Sequence, residues 1–195
     1  VLLSFKINAT NNDDNNSHLP LLNFNIRDEA GNPLAARIHL TDSDGKPVDP
    51  LQPGLPFWYD HFVCEGSTSI GVAAGTYHYE IEKGPEWKRV DGMISIKSPV
   101  TPVKVKMHRL VEMSAEGWWS GETHIHRDPA QIPLLMKAED LWIAQVKTWW
   151  NDTNGWSGKG LPASPPGSTD DGRLFNLLAG EDERSGGAFL MFGLR

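Results

Sequence analysis

Polar and apolar residues alternate through residues 2–8, and Leu21–Arg27 and Ala36–Thr41 read as further extended runs. Side chains on a strand point alternately to its two faces, so this pattern puts one face in a core and the other in water. Strands are also predicted at residues 67–72, 76–82, 90–97 and 103–110. Turn chemistry separates them: Gly31-Asn32-Pro33 breaks the chain after the second run. Residues 42–56 hold Gly45, Pro47, Pro50, Pro53, Gly54 and Pro56, a loop composition. The Asn/Asp-rich residues 11–17 read as a solvated loop, and residues 73–75 as a hairpin connection. Short, regularly spaced strands without a helical period predict an all-β sandwich over residues 1–112.

The texture changes at residues 114–117. Residues 117–126 are strand-like. Residues 129–140 carry apolar side chains at Ile132, Leu134, Leu135, Met136 and Ala138, which predicts a short helix beginning near Asp128-Pro129. Residues 141–149 read as a second buried strand, 151–173 as a long Gly/Pro-rich loop, and 174–179 and 187–194 as further strands. Strand, helix, strand is the opening of a parallel α/β unit, assigned to residues 113–195. The final apolar run ends abruptly at Arg195, which suggests a fragment of a longer domain.

Composition narrows the function classes. Hydrophobic residues are 39% of 195, and with 19 Gly the apolar share is that of a globular chain with a real core. A net charge of -7, from 18 basic and 25 acidic side chains, gives no electrostatic reason to expect nucleic acid. No apolar run approaches the roughly 20 residues of a membrane-spanning helix. Cys64 is the one cysteine, which excludes an internal disulfide and reads as a small buried hydrophobe.

His124-Ile125-His126 ends the strand-like run. Imidazoles two residues apart on a strand share a face and can reach one cation of the zinc, manganese or iron type. A bare His-x-His in a soluble protein is more often incidental or surface polar.

Two stretches carry family resemblances. Arg37-Ile-His-Leu-Thr-Asp-Ser-Asp-Gly-Lys-Pro, Ala74-Gly-Thr-Tyr-His-Tyr-Glu and Val103-Lys-Val-Lys-Met resemble the carboxypeptidase regulatory-like (transthyretin-like) β-sandwich. That resemblance implies an accessory module. Gly117-Trp-Trp-Ser-Gly-Glu-Thr-His-Ile-His-Arg, with Gln131-Ile-Pro-Leu-Leu-Met-Lys-Ala-Glu-Asp-Leu, resembles the opening of CehA/McbA-type PHP-like metallohydrolases. It implies a distorted (β/α) barrel of which only the first part is present, with His124 and His126 as ligands of a divalent metal ion.

The same resemblance matches Leu178-Ala-Gly-Glu to a segment whose carboxylate is a ligand, which gives Glu181. Asp182 and Glu183 remain alternatives, and all three also read as a solvated turn. The chain departs from the pattern at Thr148-Trp149-Trp150-Asn151, where two indoles replace an Asp and a His. Indole cannot ligate a metal or exchange a proton.

Two functions are therefore expected. One is a metal-dependent hydrolase-like chain acting on a small-molecule ester, carbamate or phosphoester, either a fragment or degenerate. The other is a non-catalytic module that binds carbohydrate or a cell-surface partner through its Trp residues, which read equally as core and interdomain packing. One of Trp149 and Trp150 should line the mouth of the site. Asp60-His61 reads as a packed loop, and His39 has no partner at ligand spacing. The domain types suggest export.

Overall fold

The computed structural model describes residues 19–162 and 167–194. The expected strand at 2–8 and the loop at 11–17 lie outside the described residues.

Eight strands form the first unit: β1 (Leu21–Arg27), β2 (Ala36–Thr41), β3 (Phe57–Trp58), β4 (His61–Cys64), β5 (Ser67–Gly71), β6 (Gly75–Glu82), β7 (Val90–Ile96) and β8 (Val100–Lys106). One sheet has the order β5-β1-β8, the other β3-β4-β2-β6-β7. The alternation in the sequence places Leu22, Phe24 and Ile26 of β1 against Ile38 and Leu40 of β2, Phe62 of β4 and Ile81 of β6, all of them buried. Phe24 meets Phe62 edge-on at 6.3 Å between ring centres, a favoured aromatic geometry. Cys64 lies in this core, and burial pushes its thiol up to about 11.

The sandwich corrects two expectations. Residues 73–75 do not close a hairpin: β5 pairs with β1, while β6 pairs with β2 and β7, so the short connection crosses between sheets. The segment around Asp60-His61 is not a loop but the β3–β4 hairpin, in which Trp58 pairs with His61.

The second unit contains β9 (Gly121–Ile125), α1 (Ile132–Ala138), β10 (Ile143–Trp150), β11 (Thr153–Asn154), β12 (Gly167–Ser168), β13 (Leu174–Asp182) and β14 (Phe189–Met191). The strands β9, β10 and β13 run parallel with β10 in the middle; β11, β12 and β14 are short antiparallel additions. A single turn of 3-10 helix at Pro129–Gln131 leads into α1, and the Asp128 carboxylate accepts from Ala130 N at 2.9 Å. Ile132 and Met136 of α1 cover Ala144 and Val146 of β10, forming a second, smaller core. The expected β–α–β opening is present. The crossover from β10 to β13 carries no helix among the described residues, and the sheet does not close into a barrel. The long loop expected at 151–173 contains the short strands β11 and β12.

The two units meet through α1, which lies against β2 and β4. Gly84 fixes the closest approach: a Cβ there would stand 2.5 Å from Glu139 O. Around it, Arg37 bridges Glu82 and Glu139, and Lys83 Nζ donates to Lys137 O. No described helix is long and apolar enough to cross a membrane.

Candidate metal centre

The β9–β10 ladder contains an irregularity with a consequence for chemistry. Ala144 pairs with Glu122 and Val146 with Ile125, so β9 holds one residue more than its partner. Such a bulge re-aims the side chains that follow it. Here Glu122 and Ile125 line an open cleft between the two units, whereas the rings of His124 and His126 turn together toward β13. The Glu122 carboxylate accepts from His124 N at 2.8 Å and holds the bulged backbone.

The three ligand atoms form a tight triangle. His124 Nε2 lies 3.1 Å from His126 Nε2. Glu181 Oε2 lies 2.8 Å from His124 Nε2 and 2.6 Å from His126 Nε2. In a tetrahedral site with bonds of about 2.0–2.1 Å, neighbouring donor atoms stand about 3.3 Å apart, so the triangle is slightly contracted around an ion-sized centre. Two nitrogens and one carboxylate oxygen form a donor set suited to zinc and its neighbours.

Burial is asymmetric. The Glu181 side chain is 3% exposed, while His124 and His126 are 45% and 37% exposed, so one side of the triangle opens to solvent. Burial pushes the Glu181 carboxyl up, but hydrogen bonds from both imidazoles outweigh it and hold the group below its ordinary range. Glu181 is therefore ionised, as a ligand must be.

The neighbouring acids are committed elsewhere. Asp182 pairs with Arg184, at 3.0 Å from Nε and 2.5 Å from NH2, which holds its carboxyl down at about 2. Glu183 Oε1 accepts from Trp150 Nε1 at 3.1 Å. The choice left open among Glu181, Asp182 and Glu183 falls on Glu181, the residue that faces the imidazoles.

Trp150 also stands edge-on to His126 at 5.3 Å, so it is the indole that borders the triangle. Trp149 packs against Gly180, where a Cβ would meet Trp149 Cε3 at 2.7 Å. Lys147, on β10 between the two ligand-bearing strands, is buried with no hydrogen-bond partner for Nζ, which sits 4.0 Å from the centre of the Phe192 ring. Burial lowers the Lys147 ammonium, and the Glu181 carboxylate opposes that shift.

The sequence alone leaves a second cluster unseen. The β2–β4 pairing sets His39 opposite His61, and the tight β3–β4 turn swings Asp60 against both. The two histidines are 22 residues apart and come together only through strand pairing. The run His61–Cys64, extended and apolar after its first residue, is the one signal that could have suggested it.

No protein-family model matches the chain, and no curated protein matches it.

Proposed function

We propose that this chain is a metal-dependent hydrolase-like protein of the CehA/McbA, PHP-like kind. In this reading it is an accessory β-sandwich followed by the opening strands of a catalytic domain. His124, His126 and Glu181 hold a divalent ion of the zinc, manganese or iron type, and the exposed side of the triangle receives a small-molecule ester, carbamate or phosphoester. The observation that carries the reading is the convergence of both Nε2 atoms on Glu181 Oε2, with all three contacts at 3.1 Å or less. An ion held there supplies a Lewis acid that acidifies water at neutral pH. Glu181 supplies fixed negative charge from within the sheet, and Trp150 walls one side of the open face. The domain types fit an exported protein.

Elemental analysis of the purified chain after zinc loading and desalting tests the proposal. Loss of one equivalent of metal in His124→Ala and in Glu181→Gln supports it. A chain that holds no ion, or whose metal content in both variants equals that of the parent, overturns it.

A binding-module reading draws on a separate observation. Trp118 and Trp119 are 69% and 57% exposed at the entrance to the second unit. Exposed adjacent indoles are a surface on which sugar rings stack. Sugar affinity that survives His124→Ala and is lost in Trp118→Ala would favour that reading.

A further inference from the structure

We infer that the outer face of the sandwich carries a second transition-metal site, formed by His39 of β2, His61 of β4 and Asp60 of the turn before β4.

The three side chains converge from two strands and a hairpin. Asp60 presents one carboxylate oxygen to each ring: Oδ2 lies 3.4 Å from His39 Nδ1, and Oδ1 lies 2.9 Å from His61 Nδ1. The imidazoles are 5.1 Å apart between centres, and one donor atom from each of the three residues lies within 4.8 Å of the others. The His39–Asp60 separation matches the roughly 3.3 Å edge of a tetrahedral site; the His61–Asp60 hydrogen bond opens by about 0.4 Å to reach it.

The orientation of His39 is set from behind. Its Nε2 is sealed from solvent without a hydrogen-bond partner, 3.6 Å from Glu82 Oε2. That leaves Nδ1 as the open donor, with a carboxylate behind the opposite ring nitrogen. Metal-bound histidines commonly donate their second ring N–H to a carboxylate, and Glu82 would need to close from 3.6 Å to accept it.

The turn adds an independent mark. Tyr59 adopts φ +53 while its side chain is 81% exposed. A bulky residue in the left-handed region is strained, and the packing it gains is an edge-on contact with Trp58 at 4.8 Å. What the turn achieves is delivery of the Asp60 carboxylate between the two rings.

The local charges permit a cation. Arg37, which lines the same cleft as His61, is neutralised by Glu82 and Glu139, and Arg127 at that cleft stacks over Trp58. Glu80 and Glu82 could in principle compete as ligands of His39, but Arg89 reaches both, at 3.2 Å and 4.0 Å. Asp60 meets no Lys or Arg within ion-pair distance among the described residues. Two nitrogens and one carboxylate select a zinc-like ion over calcium or magnesium, which prefer all-oxygen shells.

The experiment is a Zn2+ titration of the full chain against a chromophoric chelator, in a His124→Ala, His126→Ala background that disables the first centre. One equivalent of Zn2+ should remain. Adding His39→Ala or His61→Ala should weaken it by at least about 100-fold, and Asp60→Asn by about 10- to 100-fold. Imidazole 15N spectra of the background protein need no change in the sandwich, and Zn2+ should move the Nδ1 resonances of two histidines. A background chain that binds no Zn2+, an affinity unchanged by His39→Ala, or unmoved Nδ1 resonances would overturn the assignment. Because the first centre is already disabled, none of these results bears on whether His124, His126 and Glu181 bind metal.

Discussion

Trp87 Nε1 donates to Asp140 Oδ2 at 3.0 Å, which ties the β6–β7 connection of the sandwich to the chain two residues past the end of α1. Asp140 is 4% exposed and also meets Arg109 NH2 at 3.0 Å and Arg173 NH2 at 3.1 Å, with Lys83 Nζ 3.9 Å away. One carboxylate thus neutralises cations contributed by both units.

Removing that carboxylate leaves buried Lys83 without an ion pair and takes one partner each from Arg109 and Arg173. Asp140→Ala should destabilise the chain by about 3–5 kcal/mol, the usual cost of breaking a buried pair from one side. Asp140→Asn keeps the Trp87 acceptor and tolerates the residue's φ of +55, so it should cost less. Urea denaturation of both variants checks the order.

Gly84 makes a steric prediction at the same seam. It combines φ +55 with a backbone position at which an added Cβ would stand 2.5 Å from the Glu139 carbonyl oxygen. Gly84→Ala should lower stability by about 1–3 kcal/mol, combining the backbone conformation with a forced retreat of the helix end. A thermal melt that matches the parent would show that the seam yields without cost.

Lys83 predicts a rise in stability at alkaline pH. Burial lowers its ammonium to about 8 from 10.5, against the pull of Asp140. Between those values the unfolded chain holds the proton more often than the folded chain, so stability increases with pH across that window. The increase should flatten in Lys83→Met. Thermal midpoints of both proteins from pH 7 to 11 provide the comparison.

Glu181 predicts the opposite end of the scale. Its carboxyl is lower in the folded chain than the ordinary 4.5 because both imidazoles donate to it. That contribution is present above pH 4.5 and lost as pH falls through the folded value. In metal-free protein, the stability difference between parent and Glu181→Gln should therefore shrink on acidification. A difference independent of pH would mean that the carboxylate charge contributes nothing.

Much of the sandwich is legible in the sequence because its alternation is strong: Leu22, Phe24, Ile26, Ile38 and Leu40 alternate with polar or half-exposed neighbours, and all five face the core. The same periodicity says nothing about partners. It cannot reveal that β5 and β6 belong to different sheets, or that His39 faces His61 across a ladder. The β3–β4 hairpin reads as a loop because its first strand has two residues, too few to show a period. In the second unit the spacing of His124 and His126 is visible as a shared face. Glu181 enters only through the Gly-Glu resemblance, because no local rule connects positions 55 residues apart. The bulge that aims the histidines leaves no sequence mark.

The triangle also sets a minimum reach. Its histidines stand on or just after β9 and its carboxylate on β13, with β10 between them. Two strand spacings are about 9.6 Å, a gap that short side chains cannot close from both sides. An aspartate in place of Glu181 would keep the charge yet fall about 1.5 Å short, the length of one carbon–carbon bond. Contact between the two histidines and the carboxylate is therefore a matter of span as much as of charge, and β10 is the ruler that sets it.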